Sequence, residues 1–333
     1  MKTLEEIPHR IKPGMCPVNG IRDLVHWRAG KNFSNEFLWG LGLGGGFAYL
    51  RFKLADPPRQ IYWGNAGPRQ HRYLAELLNA DYEEIENRSL KYSWQKAKEA
   101  VDSGTPPILG PLDMFYLHFY KGIYHKQHIP IHYLLLINYD NEKAYFLDTG
   151  VKDIQTVPID ELQHAWNVNV PGLGKRNRLV IFTIPKVIPS TEALIRKSIA
   201  EECRVMLDPP VSMLGIPAMK KVSCEIAHWP DELGKETAIK CLNQVREYLN
   251  SPPDLLGNHS TAGRDLYITF LEDAEQQMGL DFSEAISQLK QSMAVIPLLA
   301  EDVRNMNLQG AADCFIRIAD LETKAFTLLN KVV

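Results

Sequence analysis

The sequence predicts an α+β domain followed by an all-α domain, and three observations carry that expectation. Strand-like segments are concentrated between residues 47 and 184, the clearest being the apolar runs 131–139 and 178–184. Beyond Pro189 strand signals all but vanish and helical periodicity takes over. Between the two lies Lys186-Val187-Ile188-Pro189, a short linker, so the expected domains are 1–186 and 187–333. A chain of 333 residues also exceeds what one hydrophobic core usually supports.

The first element is a helix opening at Cys16-Pro17, with Val18, Ile21, Leu24 and Val25 at helical spacing. Proline suits a first helical turn because its missing N–H has no partner there anyway. That spacing makes Cys16 the expected N-cap, its sulfur beside free N–H groups at the positive end of a helix dipole, a setting that favours thiolate. A glycine run, Gly40-Leu41-Gly42-Leu43-Gly44-Gly45-Gly46, then precedes the alternating strand 47–52. No Gly-Lys-Ser/Thr follows it, so tight backbone packing explains it better than a phosphate loop does. Ile61-Tyr62-Trp63 is strand-like, residues 69–80 read as a helix, and a second helix is expected from Ser93 as N-cap to Gly104. Met114-Phe115-Tyr116-Leu117 reads as an aromatic extended segment.

Residues 131–139 and 144–148 form an expected antiparallel hairpin turned by Asp140-Asn141-Glu142-Lys143. An extended piece at 153–157, a short helix at 159–166 and a central strand at 178–184 complete the first domain. Helices are then expected at 191–207, 231–250, 261–278, 283–296 and 309–330, broken by Pro209-Pro210, Pro252-Pro253, Gly279 and Pro297.

Composition narrows the function classes. Apolar content of 45% and charged content of 23% are ordinary for a soluble globular protein. A net charge of −3 with scattered Lys and Arg argues against nucleic acid or a membrane surface as partner. No apolar run is long enough for a membrane span, and the N-terminal Met-Lys-Thr-Leu-Glu-Glu-Ile-Pro-His has no signal-peptide core. The five cysteines (16, 203, 224, 241, 314) are scattered without a CxxC pair, which suggests neither a disulfide framework nor a zinc site. The expected compartment is the reducing cytoplasm.

A thiolate nucleophile needs a base, and the base needs a group that fixes its tautomer. The hairpin offers both, for His132 opens one strand and Asp148 closes the other. If the register centres on residue 140, at the start of that turn, the two stand opposite each other, at the roughly 5 Å Cβ separation of cross-strand neighbours. Singly, His132 also reads as a strand-edge histidine and Asp148 as a turn former in Asp-Thr-Gly; with an upstream helix-start cysteine the catalytic reading overtakes these. Asp140 is the rival orienter, but turn geometry accounts for it. His125 and His128 admit a metal reading, against which stand the missing cysteine and carboxylate ligands. The other cysteines read as buried packing residues.

Gly14-Met15-Cys16 through Asn19-Gly20-Ile21-Arg22-Asp23-Leu24, then Phe37-Leu38-Trp39 and the glycine run to Tyr49, resemble the N-terminal domain of the butirosin biosynthesis protein H family. Asp113 to Leu117 and the His132 to Asp148 hairpin resemble further segments of it, and Gly263 to Ala274 resembles its accompanying helical domain. The resemblance implies a papain-like, bacteriocin-peptidase-like cysteine domain with an antiparallel sheet, followed by an all-α domain. It implies an acyltransferase that moves an acyl group from a carrier-protein thioester to an amine in antibiotic biosynthesis. Cys16 would be nucleophile, His132 base and Asp148 orienter. No cofactor of the enzyme itself is implied, since a phosphopantetheine arm on a partner acyl carrier protein brings the acyl group. The remaining partner is a small-molecule amine acceptor, with no nucleic acid and no membrane; a homo-oligomer stays open.

Two departures bear on the oxyanion hole. Met15 stands where the family usually has histidine, and residues 9–15 hold no glutamine of the kind papain-like peptidases use. The donors must then be backbone N–H groups at the helix start or a side chain such as Lys12 or Asn19. Asp113 and Tyr116 are further substrate-binding candidates, and Phe115, Tyr116, Phe119 and Tyr120 a candidate pocket wall. The alternatives are a cysteine peptidase or amidase with the same triad, or a binding protein that has lost turnover.

Overall fold

A computed structural model describes residues 7–65, 67–249 and 261–333. In chain order its first elements are α1 (Cys16–Ala29), α2 (Asn35–Leu41), β1 (Phe47–Arg51), β2 (Arg59–Trp63), α3 (Pro68–Leu77) and β3 (Asp81–Ile85). There follow α4 (Leu90–Asp102), β4 (Ile108–Asp113), β5 (Pro130–Tyr139), β6 (Lys143–Asp148), β7 (Val151–Pro158), α5 (Ile159–Trp166) and β8 (Leu179–Thr183). The protein is mixed α/β with antiparallel sheets and a helical C-terminal region. It divides into one compact unit of residues 1–38 and 66–189 and another of 39–65 and 190–333, so the glycine run and the β1–β2 hairpin belong with the C-terminal helices.

The first unit is built on a six-stranded sheet in the order β3-β8-β4-β5-β6-β7. Its core strands are apolar on both faces, as in Leu134, Leu135, Leu136 and Ile137 of β5, because helices cover what would otherwise meet water. Helix α1 packs closely on β5: a Cβ at Gly20 would lie 2.9 Å from Ile108 and 3.5 Å from Leu135. β8, expected to be central, lies between β3 and β4.

Several local readings change. The helix expected from Ser93 begins at Leu90, because the Ser89 hydroxyl accepts the N–H of Tyr92 and leaves Ser93 inside the helix. The expected extended segment at 114–117 is a single 3-10 turn, Met114–Tyr116, capped by the Asp113 carboxylate on the N–H of Phe115. Strands β3 and β4 are additional. β3 is a charged edge strand with alternating burial, and β4 carries Gly110-Pro111 inside it, which its register shift accommodates. The β5–β6 register pairs Leu135 with Leu147 and slips by a bulge toward Asn138–Tyr145. His132 and Asp148 are therefore diagonal rather than directly opposed.

In the second unit β1 and β2 form an antiparallel pair, Phe47 facing Trp63. The helices are α6 (Thr191–Leu207), α7 (Gly215–Glu225), α8 (Trp229–Leu233) and α9 (Lys235–Leu249), then Arg264–Met278, Ser283–Arg304 and Leu308–Val332. α7 is additional to the expected set. The helix from Ser283 runs on through Pro297 because its buried stripe, Val295, Ile296, Leu299 and Val303, continues on both sides and outweighs the one lost backbone bond. The break expected at Pro252-Pro253 lies outside the described residues. A Cβ at Gly40 would stand 2.0 Å from the Phe270 ring, so this glycine serves close packing. A buried ion pair, Arg264 Nε to Glu322 Oε1 at 2.7 Å, sits in the same core, with Ser292 donating to the carboxylate at 2.9 Å. No helix among the described residues is long and apolar enough to cross a membrane.

Candidate active site

Cys16 is the first residue of α1, and Met15, which makes no side-chain cap, takes the N-cap position assigned above to the cysteine. The shift of one residue puts Pro17 second in the helix, still within the turn whose N–H groups have no intrahelical acceptor. The Sγ lies 3.8 Å from the carbonyl oxygen of Ile131, the residue before His132. The first turn is held from outside. His71 Nε2 donates to the Pro17 carbonyl at 2.8 Å, and Arg178 donates to His71 Nδ1 at 3.2 Å. Burial, with the Arg178 charge beside it, pushes the His71 pKa down to about 3, so the ring is neutral and its two bonds fix the tautomer. Arg178 is itself buried and pairs with Glu84 at 2.9 Å.

Residues before the helix are tied down as well. The Lys12 N–H donates to the Thr149 carbonyl at 2.8 Å, and the Thr149 hydroxyl donates to the Lys12 carbonyl. His9 bridges Asp23 of α1 (2.7 Å) and the Val151 carbonyl of β7 (3.0 Å). These bonds run the segment along the end of β6, where Asp148 sits.

His132 and Asp148 meet directly: Nε2 donates to Oδ2 at 2.5 Å, with both residues buried. The diagonal placement suits a histidine, whose ring spans the longer separation. Asp148 Oδ1 also accepts the Gly150 N–H at 2.6 Å and the Tyr120 hydroxyl at 2.9 Å. Burial alone would drive His132 toward neutrality, but the charge and hydrogen bond of Asp148, joined by those of Cys16, raise its pKa to about 10. Burial acts on Asp148 in the opposite sense, and the His132 charge and the hydrogen bonds overcome it to hold the carboxyl below its usual range. With Nε2 committed to Asp148, Nδ1 is the nitrogen left for the sulfur.

The other candidates sit differently. The Lys12 ammonium, half exposed, pairs with Glu36 at 2.6 Å. The Asn19 side chain lies outside the described residues. Asp113 accepts from the N–H groups of Phe115 (3.1 Å) and Ile129 (2.9 Å) and from His128 Nδ1 (2.6 Å), and so fastens both ends of the 114–129 segment. Tyr116 stacks on His164, centroids 5.4 Å apart. No bond among the described residues joins these side chains to Cys16, His132 or Asp148. His71 and Arg178 carried no signal in the sequence, since only the fold brings them to α1; Tyr120 was legible as part of an aromatic wall but not as a partner of Asp148. Among the described residues no group of three or more His, Cys, Asp or Glu side chains is placed to hold a metal ion. A cavity of about 440 Å³ lies elsewhere in this unit, between Arg88, His164 and Arg176.

Residues 15–149 match the family described as butirosin biosynthesis protein H, N-terminal, and residues 160–329 match a domain of unknown function (DUF4872). The chain belongs to the butirosin biosynthesis protein H family. The butirosin H match starts one residue before Cys16 and ends one residue after Asp148, so the cysteine, His132, Asp148, His71 and Tyr120 all fall within it. No curated protein matches the chain.

Proposed function

We propose that the protein is a biosynthetic enzyme of antibiotic or related specialised metabolism, a cysteine-dependent acyltransferase with a papain-like catalytic domain. The observation that carries this reading is the 2.5 Å bond from His132 Nε2 to Asp148, made beside a cysteine at the first position of a helix. That arrangement supplies a nucleophile, a base and an orienter. The Cys16 thiolate attacks the carbonyl of an acyl thioester carried on the phosphopantetheine arm of a carrier protein. The C–S bond to the carrier breaks, and the departing thiol takes its proton from His132, which keeps one at neutral pH. An amine then attacks the acyl-cysteine and gives its proton back to His132, and Cys16 is released with an amide as product. A thioester consumed and an amide formed is downhill, so the reaction needs neither ATP nor a metal. The Cys16 N–H, at a helix position without an intrahelical acceptor, is the backbone donor best placed for the oxyanion.

Intact-protein mass spectrometry tests the reading. The protein and its Cys16→Ala variant are incubated with acylated carrier proteins and simple acyl thioesters. An acyl mass on the wild type alone, discharged by added amine as amide, is the expected result. Discharge as free acid in the presence of amines points instead to a hydrolase, and equal thioester loss in Cys16→Ala overturns the nucleophile.

A further inference from the structure

Tyr120 belongs to the segment between β4 and β5, yet its hydroxyl reaches into the His132–Asp148 pair. It lies 2.9 Å from Asp148 Oδ1, 3.1 Å from Oδ2 and 3.2 Å from His132 Nε2. The phenolic hydrogen can go only to the carboxylate, because Nε2 already spends its own hydrogen on Asp148. The phenolic oxygen then offers Nε2–H a second, longer acceptor. The rings stand edge to face at 82°, centroids 5.2 Å apart, so Tyr120 also limits how the imidazole can swing. We propose that Tyr120 is a positioning residue of this site: its hydroxyl clamps Asp148 and His132 Nε2–H together and so leaves Nδ1 free to serve Cys16.

The titratable groups that face His132 are Cys16 from α1, Asp148 from β6 and Tyr120 itself. Of these, Tyr120 acts mainly through Asp148. Its O–H draws charge from the carboxylate, and without it Asp148 is a stronger acceptor that holds the imidazolium to higher pH. Burial and the neighbouring carboxylate both disfavour ionisation of the phenol, so it stays a donor throughout the working range.

The experiment is NMR titration of His132 in the full-length protein, alongside the rate of Cys16 alkylation by iodoacetamide followed by mass spectrometry. Tyr120→Phe keeps the ring and removes only the hydroxyl. Its His132 midpoint is expected to rise by about half a unit, and alkylation at neutral pH to slow by about threefold to tenfold as the imidazole loses its orientation. Site-specific 3-fluorotyrosine at position 120, a stronger donor that preserves the packing, is expected to lower the midpoint, and it carries the test if Tyr120→Phe does not fold. Unchanged midpoints and alkylation rates in both proteins, with only a lower melting temperature, would show a structural tyrosine and overturn the proposal. Tyr120's effect on turnover rests on the acyltransferase reading. Because His132 titrates without an acyl donor, failure of acyl transfer and failure of the Tyr120 effect are separate results.

Discussion

His71 Nε2 donates to the carbonyl oxygen of Pro17 at 2.8 Å, so the helix turn that carries Cys16 is fastened by a histidine from α3. His71→Phe keeps a ring of similar size but removes that donor and the acceptor for Arg178. The variant is expected to lose about 2 kcal/mol of stability, the cost of leaving buried groups unpaired. A displacement of Cys16 of even a fraction of an ångström is expected to slow the proposed acyl-enzyme formation by about tenfold or more. Thermal melts and timed mass spectra read the two effects separately; a normal acylation rate in a destabilised variant would confine His71 to folding.

Asp148→Asn tests the polar pair through its pH dependence. His132 has a folded pKa raised from 6.5 to about 10, so its contribution to stability is full below pH 6.5 and is lost as pH rises toward 10. Asp148 has a lowered folded pKa, so its contribution is present above its ordinary value and is lost as pH falls through the folded one. The melting-temperature gap between wild type and Asp148→Asn is therefore expected to be widest near pH 5–6 and to narrow toward both acid and strongly alkaline pH. A gap constant across pH 5 to 10 contradicts the ion pair.

Glu322→Leu removes the partner of Arg264, which is fully buried. An uncompensated buried guanidinium costs about 3–5 kcal/mol, and a melting temperature lower by roughly 10 °C is expected for a unit of this size. Replacing both residues together, Arg264→Met with Glu322→Leu, is expected to recover most of the loss. Calorimetry on the three variants decides it.

Gly40→Ala gains helix propensity but drives a methyl into Phe270. The overpacking, about 1–3 kcal/mol, is expected to exceed the gain of about 1 kcal/mol from alanine. In a Phe270→Leu background the same substitution is expected to cost less, and the coupling measured by a double-mutant cycle shows whether the two sites touch as described.

What was legible followed from local physics. Period-3.6 apolar spacing marks α1 and most of the C-terminal helices, and β-branched and aromatic runs mark β5, β6 and β8. Strand β3 was hidden because Asp81, Glu83 and Glu84 give an edge strand the look of a loop, and β4 because Gly110-Pro111 reads as a turn. Ser89 and Ser93 are equal as caps until packing buries one of them. The helix-start spacing and the hairpin brought Cys16, His132 and Asp148 forward and the family motifs coincided with them, while Asp113 could be singled out but not given its place as a fastener of the 114–129 segment.

The sequence by itself determined the mixed α/β class with its helical C-terminal region, the hairpin that carries His132 and Asp148, and the helix start at Cys16. These are matters of neighbours along the chain, where spacing and side-chain type suffice. Only the tertiary structure decided that residues 39–65 join the C-terminal helices, that the Leu135–Leu147 register leaves His132 and Asp148 diagonal, and that His71, Arg178 and Tyr120 converge on Cys16 and the His132–Asp148 pair. The physical reason is that hydrogen bonds between residues tens of positions apart form only when burial brings them together. A lone buried histidine or tyrosine leaves no period or spacing by which its partner can be read.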